Sequence, residues 1–280
     1  MVRFTESQIV DLIESKFIRK DVLILAPADP GENVRVHGED VKQGTLLAEA
    51  GAVLNPGRIG LLATGSELTE PGQLLAPGRI YKSNRPALAA LMERAGAIPI
   101  TLPLVADVLA GTSQALVNAF KQCDAVVTSG GVSVGEMDFL KRAFEQIGGE
   151  LEFWKVAMKP GRPFVFGRCR GKLLFGLPGN PVSALVSFLL LVRPALLRWQ
   201  GAADVSLLAH PGVLAEPLVN PGERRHFMRV KADPTGRVQL AGFQASHVLT
   251  SLAVANGLVD VPAHTTLATG CTVTVLRWDS

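Results

Sequence analysis

Between residues 58 and 197, short apolar runs alternate with segments of helical periodicity, and this alternation narrows the fold more than any other feature of the chain. Residues 59–63, 98–102 and 125–127 form apolar runs, whereas 83–95, 109–122 and 138–147 carry apolar side chains at helical spacing. A strand that is apolar on both faces has to be covered on both, and crossover helices provide that cover when strands run parallel. The pattern predicts an α/β fold with a doubly wound, mostly parallel sheet over residues 57–203. Beyond Gly201 the spacing shortens: 227–230 and 238–241 alternate in polarity and are separated by turn sequences such as Asp233-Pro234-Thr235-Gly236. A small C-terminal β domain over 204–280 is expected there. Upstream, Ile9, Leu12, Ile13 and Phe17 fall at helical spacing behind Thr5, a short apolar run follows at 22–25, and 26–57 is rich in Gly, Pro and acids. Residues 1–56 read as a short irregular segment, too small to be a further domain.

Composition excludes several classes of function. Lys and Arg total 28 against 25 Asp and Glu, the net charge of +3 is spread along the chain, and there are one Tyr and three Trp. A nucleic-acid surface needs clustered cations with interleaved aromatics, so no nucleic-acid partner is expected. Cys123, Cys169 and Cys271 are far apart and odd in number, which predicts reduced core thiols in a cytoplasmic protein. Met1-Val2-Arg3-Phe4 leads into charged residues, so no secretory signal is expected. The most apolar stretch, 182–192, is followed by Arg193-Pro194 and falls short of the ~20 residues a membrane span requires. A buried helix and no membrane partner are expected.

Three runs carry the chemistry. In the first, Thr128-Ser129-Gly130-Gly131-Val132-Ser133-Val134-Gly135-Glu136-Met137-Asp138 takes an apolar strand through a glycine and serine loop into a helix. Glycines let backbone N–H groups approach an anion, and the helix N-terminus adds its positive end. A tight strand-to-helix turn needs glycine too, but ligands of open α/β sheets bind at the carboxyl ends of strands, which favours a phosphate site. The loop matches neither GxGxxG nor GxxxxGK[ST], which removes the common dinucleotide and P-loop readings. Glu136 and Asp138 are hard oxygen ligands suited to Mg2+, or helix caps. In the second run, Trp154-Lys155-Val156-Ala157-Met158-Lys159-Pro160-Gly161-Arg162-Pro163, an extended chain would put Lys155 and Lys159 on one face. Such a pair suits either an anion or a solvated edge strand guarded by lysine, and Arg162 adds a third cation. In the third, Leu177-Pro178-Gly179-Asn180-Pro181-Val182-Ser183, Asn180 as N-cap and Pro181 at the first helical position suffice to explain a helix start. Glu67, in Thr64-Gly65-Ser66-Glu67-Leu68, follows the first apolar run and becomes a candidate carboxylate at the same sheet edge.

TGSEL at 64–68, GRIYKSNR at 78–85, TSGGVSVGEMD at 128–138, WKVAMKPGRP at 154–163 and GLPGNPVSA at 176–184 together resemble the molybdopterin molybdenumtransferase family, including the catalytic region of gephyrin. The likeness runs from about Gly31 to the end, and Glu223-Arg224-Arg225-His226-Phe227-Met228-Arg229-Val230 resembles the family's small β domain. What the resemblance implies is a molybdopterin-binding α/β domain that takes adenylylated molybdopterin and molybdate to molybdenum cofactor, releasing AMP with Mg2+. By motif, Glu67, Asp138, Lys155, Lys159, Asp40 and Asp107 correspond to catalytic residues. Thr64, Gly65, Ser129, Gly130, Gly131, Ser133, Gly135, Arg162, Pro178, Gly179, Asn180 and Ser183 correspond to residues that hold the pterin substrate, and Glu136 with Asp138 to the metal ligands. The family also implies a homodimer built on a long N-terminal part, of which residues 1–56 would be a remnant. A molybdopterin adenylyltransferase and a non-catalytic pterin-binding protein are the competing readings.

Overall fold

The computed structural model describes residues 38–42, 44–49, 55–62, 84–103, 105, 108–130 and 137–278. The chain divides into two units, one comprising Met1–Thr45 with Ser66–Tyr81 and the other Leu46–Gly65 with Lys82–Ser280. In the first unit the described residues form a turn and bend at 38–41. The elements below belong to the second unit.

Helices α1 (Pro56–Leu62), α2 (Asn84–Arg94) and α3 (Leu109–Gln122) lead into strand β1 (Ala125–Ser129), helix α4 (Met137–Gln146) and strands β2 (Glu150–Lys155), β3 (Met158–Lys159), β4 (Pro163–Cys169) and β5 (Lys172–Leu177). The strands of the α/β layer lie in the order β1-β5-β4-β2. β1 and β5 pair in parallel, Ala125 opposite Leu173 and Ser129 opposite Leu177. β4 and β5 pair antiparallel as a hairpin through Arg170 and Gly171, both at positive φ (51° and 80°) as a two-residue hairpin turn demands, and β2 also runs antiparallel to β4. The α/β class is as expected, and the described part of the sheet is mixed. Helices α3 and α4 cover one face, where Leu116, Ala119, Val126, Leu140, Phe144, Val165 and Leu174 form a buried cluster. The other face carries a stack of Phe153, Phe164, Phe166 and Phe175, with ring centroids 5.3–6.5 Å apart.

Beyond β5 come α5 (Pro181–Ser187), a π-helical turn (Phe188–Val192) and α6 (Arg193–Trp199), then β6 (Leu208–Leu214), β7 (Leu218–Asn220), β8 (Arg225–Ala232), β9 (Arg237–Leu240), α7 (Leu249–Val254), β10 (Gly257–Val261), β11 (Thr265–Leu267) and β12 (Thr272–Arg277). The expected C-terminal β domain is a closed barrel: β10-β12-β6-β9-β8 follow one another, and β8 pairs back onto β10. Met228, Val230, Val238, Val259, Val261 and Val275 fill it. β3 adds to the end of β8, Met158 opposite Arg225 and Lys159 opposite His226, so a short strand from the α/β part is stitched to the barrel.

Four sequence expectations are corrected. The run 59–63, expected as a strand, is helical through Leu62, because Asn55 precedes Pro56 as a cap: its Oδ1 accepts the N–H of Arg58 at 2.8 Å, and its Nδ2 donates to Ala253 O at 3.0 Å. Residues 98–102 form no strand; β1 is the sheet's edge among the described residues, and Ile98 is 91% exposed. The helix expected to stop at Arg193-Pro194 continues to Trp199, since the π-helical turn shifts the register so that Pro194 falls at the start of a fresh α segment. That 19-residue run, Pro181–Trp199, is long and apolar enough to cross a membrane by length and composition (mean hydropathy 1.6), but Val182, Ala184, Val186, Phe188 and Val192 are all 0% exposed within the protein. Of the thiols expected in the core, Cys169 alone is buried; Cys123 is half-buried and Cys271 exposed.

Asn55→Ala removes both the α1 cap and the tie to Ala253, and should cost about 1–2 kcal/mol. Urea unfolding should show a lower midpoint at an unchanged slope; an unchanged midpoint would rule out the cap.

Candidate functional site

Strand direction builds the site. β2 and β5 both run antiparallel to β4, hence parallel to each other and to β1. Ser129, Leu177 and Lys155 therefore all end at the same, carboxyl edge, with β1 and β5 about 4.8 Å apart and β2 two spacings further along. This is the edge at which open α/β sheets take ligands.

Two loops leave that edge side by side. Gly130, at φ +84°, gives its N–H to Leu177 O at 3.1 Å, and a methyl group on Gly179 would touch Gly130 Cα at 3.6 Å. Asn84, at the start of α2 and 8% exposed, binds them together: Nδ2 donates to Ser129 Oγ at 2.7 Å and to Gly179 O at 2.8 Å. The Ser129 hydroxyl donates in turn to Pro178 O at 3.3 Å. Ser129 and Gly130, where the chain leaves β1, are thus tied to Leu177, Pro178 and Gly179 at the end of β5.

The lysine segment departs from the sequence reading. It is not one extended strand: β2 ends at Lys155, the chain bends at Ala157, and β3 joins Lys159 to the barrel. The N–H of Val156 donates to Arg162 O at 3.1 Å, so residues 156–162 close into a loop. Lys155, Lys159 and Arg162 are exposed on it, and among the described residues none of them is ion-paired. Gly161 seats the loop on α5 at φ +104°, where a Cβ would collide with Ser187 Oγ and stand 3.0 Å from Met158 Cε.

Across β3, the barrel brings residues that sequence reasoning missed. Arg224 Nη1 donates to Met158 O at 3.1 Å. His226 is 4% exposed and its Nε2 has no hydrogen-bond partner among the described residues. Burial, reinforced by the positive charges of Lys159, Arg229 and Arg224, pushes its pKa down to about 4, so a neutral imidazole adjoins Lys159. Ser246 reaches α5, where its carbonyl accepts the N–H of Val182 at 3.2 Å and its hydroxyl accepts from Asn180 Nδ2 at 3.1 Å. Asn180 sits at the N-cap position, as expected, but its side chain makes no cap hydrogen bond. Asn84 lies in a run already singled out, and His226 in another; nothing in the sequence around Ser246 marks it.

The structure thus brings Ser129, Gly130, Lys155, Pro178, Gly179 and Asn180 to one edge, with Lys159 and Arg162 on the loop behind Lys155. Pro178 and Ser183 are buried, and Gly179 is exposed. Asp138 is the second residue of α4. Asp40 is half-buried in the bend of the first unit. Thr64, Gly65, Glu67, Asp107, Gly131, Ser133, Gly135 and Glu136 lie outside the described residues. Among the described residues no three His, Cys, Asp or Glu side chains gather as a metal centre.

Comparison with known proteins places this geometry. Residues 60–198 match the family described as "Probable molybdopterin binding domain", residues 211–278 the "MoeA C-terminal region (domain IV)", and residues 4–65 the "MoeA N-terminal region (domain I and II)". The last match starts well before Gly31, where the sequence motifs began. The chain is similar to the molybdopterin molybdenumtransferase of Haemophilus influenzae, 37% identical over 251 residues, covering 81% of this chain and 62% of that one. It is 39% identical over 266 residues to molybdopterin molybdenumtransferase 2 of Mycobacterium tuberculosis, covering 86% and 66%. Among solved structures, the molybdopterin biosynthesis moeA protein of Pyrococcus horikosii aligns with a TM-score of 0.65 at 30% identity, over 92% of this chain and 68% of that one. The chain spans just under two thirds of the length of these two curated relatives.

Two outcomes test the geometry. Gly161→Ala forces a side chain into left-handed backbone against Ser187 and should cost roughly 1–3 kcal/mol by thermal or urea unfolding. His226 has a folded pKa of about 4 against 6.5 unfolded, so the unfolded chain takes up its proton first as pH falls. Its contribution is complete above pH 6.5 and lost between 6.5 and 4, by no more than about 3 kcal/mol. Denaturation at pH 7 and pH 5 should show up to about 2 kcal/mol of that loss, reduced in His226→Gln; an equal drop in both proteins would refute it.

Proposed function

Because the chain belongs to the MoeA family of molybdopterin molybdenumtransferases, we propose that it inserts molybdate into adenylylated molybdopterin, releasing AMP. The observation that carries this reading is the cationic segment at the sheet edge: Lys155, Lys159 and Arg162 stand exposed, and the strands β1 and β5 end at the same edge, tied there through Asn84. An exposed cluster of cations held by a rigid loop costs little while solvated and gains charge-assisted hydrogen bonds when an oxyanion enters. Molybdate and the pterin phosphate are both such oxyanions.

In this mechanism the β1 and β5 loops bind the phosphate end of the pterin: Gly179 stands exposed at the edge, while the Gly130 N–H and the Ser129 hydroxyl, given to Leu177 O and Pro178 O, hold the two loops together. Asn84 ties Ser129 to Gly179, so the two loops leave the sheet from linked positions. Lys155, Lys159 and Arg162 receive molybdate oxygens and stabilise the negative charge that grows as AMP leaves. Glu67, Asp40 and Asp107 are further candidate acids, and Thr64, Gly65, Gly131, Ser133, Gly135 and Ser183 candidate contacts. Mg2+, held by Glu136 and Asp138, would neutralise phosphate charge; the support is the residue types beside the glycine loop. The same reading assigns a homodimer and a cytoplasmic location.

Purified protein supplied with adenylylated molybdopterin, molybdate and Mg2+ should release AMP and form active cofactor. Lys155→Ala and Lys159→Ala should each slow release by on the order of 100-fold, as loss of a transition-state charge contact does. Wild-type rates in both variants would remove the lysines from the reaction, and absence of AMP from wild-type protein would remove the reaction itself.

A further inference from the structure

Arg229 is the largest fully buried side chain in the described structure, 0% exposed in the wall of the barrel, and among the described residues it has no ion pair. Burial lowers its pKa to about 10. A cation buried without a counter-ion is costly, and apolar residues of similar volume commonly replace such groups without loss of stability. Core packing alone does not account for it. What the guanidinium does hold is the segment 242–248: Nε donates to Ser251 Oγ at 2.7 Å, and Nη2 donates to Phe243 O at 3.0 Å and to Ala245 O at 3.2 Å. Gln244 closes the clasp from the other side. Its Oε1 accepts the Arg229 N–H at 2.9 Å, and its Nε2 donates to Arg229 O at 3.1 Å and to Gly242 O at 2.9 Å.

The next residue after Ala245 leaves the barrel. Ser246 O takes the Val182 N–H, one of the first-turn donors of α5, and Ser246 Oγ takes the Asn180 amide. The barrel therefore supplies a cap that Asn180 does not give its own helix, and Asn180, which Ser246 also holds, directly follows Pro178-Gly179 at the sheet edge. We propose that Arg229 is a positioning residue for the substrate site: its grip on Phe243 O and Ala245 O sets Ser246, which holds Asn180 and Val182 and fixes the β5 loop where the phosphate end of an anionic pterin binds. This inference rests on the function proposed above for its substrate, but its structural relay does not.

The test uses the full chain. Amide hydrogen exchange at Val182 is measured in wild type, Arg229→Met, Arg229→Lys and Ser246→Ala, with Leu174 in the α/β core as the internal reference. Arg229→Met should speed exchange at Val182 about tenfold, the loss of one hydrogen bond, and leave Leu174 unchanged. Arg229→Lys keeps the charge but cannot span two carbonyls, and should recover part of that protection. In AMP-release kinetics, Arg229→Met and Ser246→Ala should each raise KM for adenylylated molybdopterin by about tenfold with kcat within about twofold, and the double variant should be no worse than Arg229→Met alone. Should Arg229→Met fail to fold, Gln244→Ala, which loosens the clasp without touching the charge, takes its place with the same exchange readout. Wild-type exchange at Val182 in folded Arg229→Met, or in Gln244→Ala where that variant replaces it, overturns the relay, as does full additivity in the double variant. If wild-type protein releases no AMP, the proposed function falls, and the exchange data alone decide the relay.

Discussion

The common direction of β1, β5 and β2 is the constraint on which the site depends. A two-residue turn at Arg170-Gly171 sends β5 back along β4, and that reversal makes β5 parallel to β1. Because β2 also opposes β4, the chain leaves the sheet three times at one edge. Nothing about the glycine loop, the Pro-Gly-Asn loop or the lysine loop would converge if any of those strands ran the other way. Asn84 then converts proximity into rigidity, since a buried amide that donates to both loops loses both bonds when either loop moves.

The barrel is bound into this arrangement by backbone as well as side chain. Its strands close on themselves, so β8 has partners along its length, and the stretch at Arg225 and His226 that extends past β9 is taken up by β3. Lys159 therefore rides on the pairing between the two parts of the unit. Around it the charge is one-sided: the exposed cations Lys155, Lys159 and Arg162 adjoin a histidine kept neutral by burial and by the charges of Lys159, Arg229 and Arg224. Cations that carry no ion pair among the described residues suit an oxyanion that arrives and leaves.

Much of this was legible from periodicity and local chemistry. The helix at 109–122 lies where its spacing put it, β1 starts where the apolar run starts, and the β segments after Gly201 form the expected second part. Local rules also explain the errors. Residues 59–63 are as apolar as a strand, but Asn55-Pro56 had already started a helix, and a cap outweighs a short apolar run. The lysine pair four residues apart looked like one strand face; its chain instead bends at Ala157, because Lys155 pairs with β4 and Lys159 with β8.

The division between the two kinds of information follows the range of the interactions. Residue types and spacings determined the α/β class, the anion-friendly loops, the cationic segment and the family likeness, because each rests on groups within a few positions of one another. Which strands end at one edge, that Asn84 ties Ser129 to Gly179, that His226 is neutral beside Lys159, and that Ser246 holds Asn180 were decided by tertiary structure alone. Those contacts join residues 45, 95 or 66 positions apart along the chain, and a burial that shifts a pKa has no local signature.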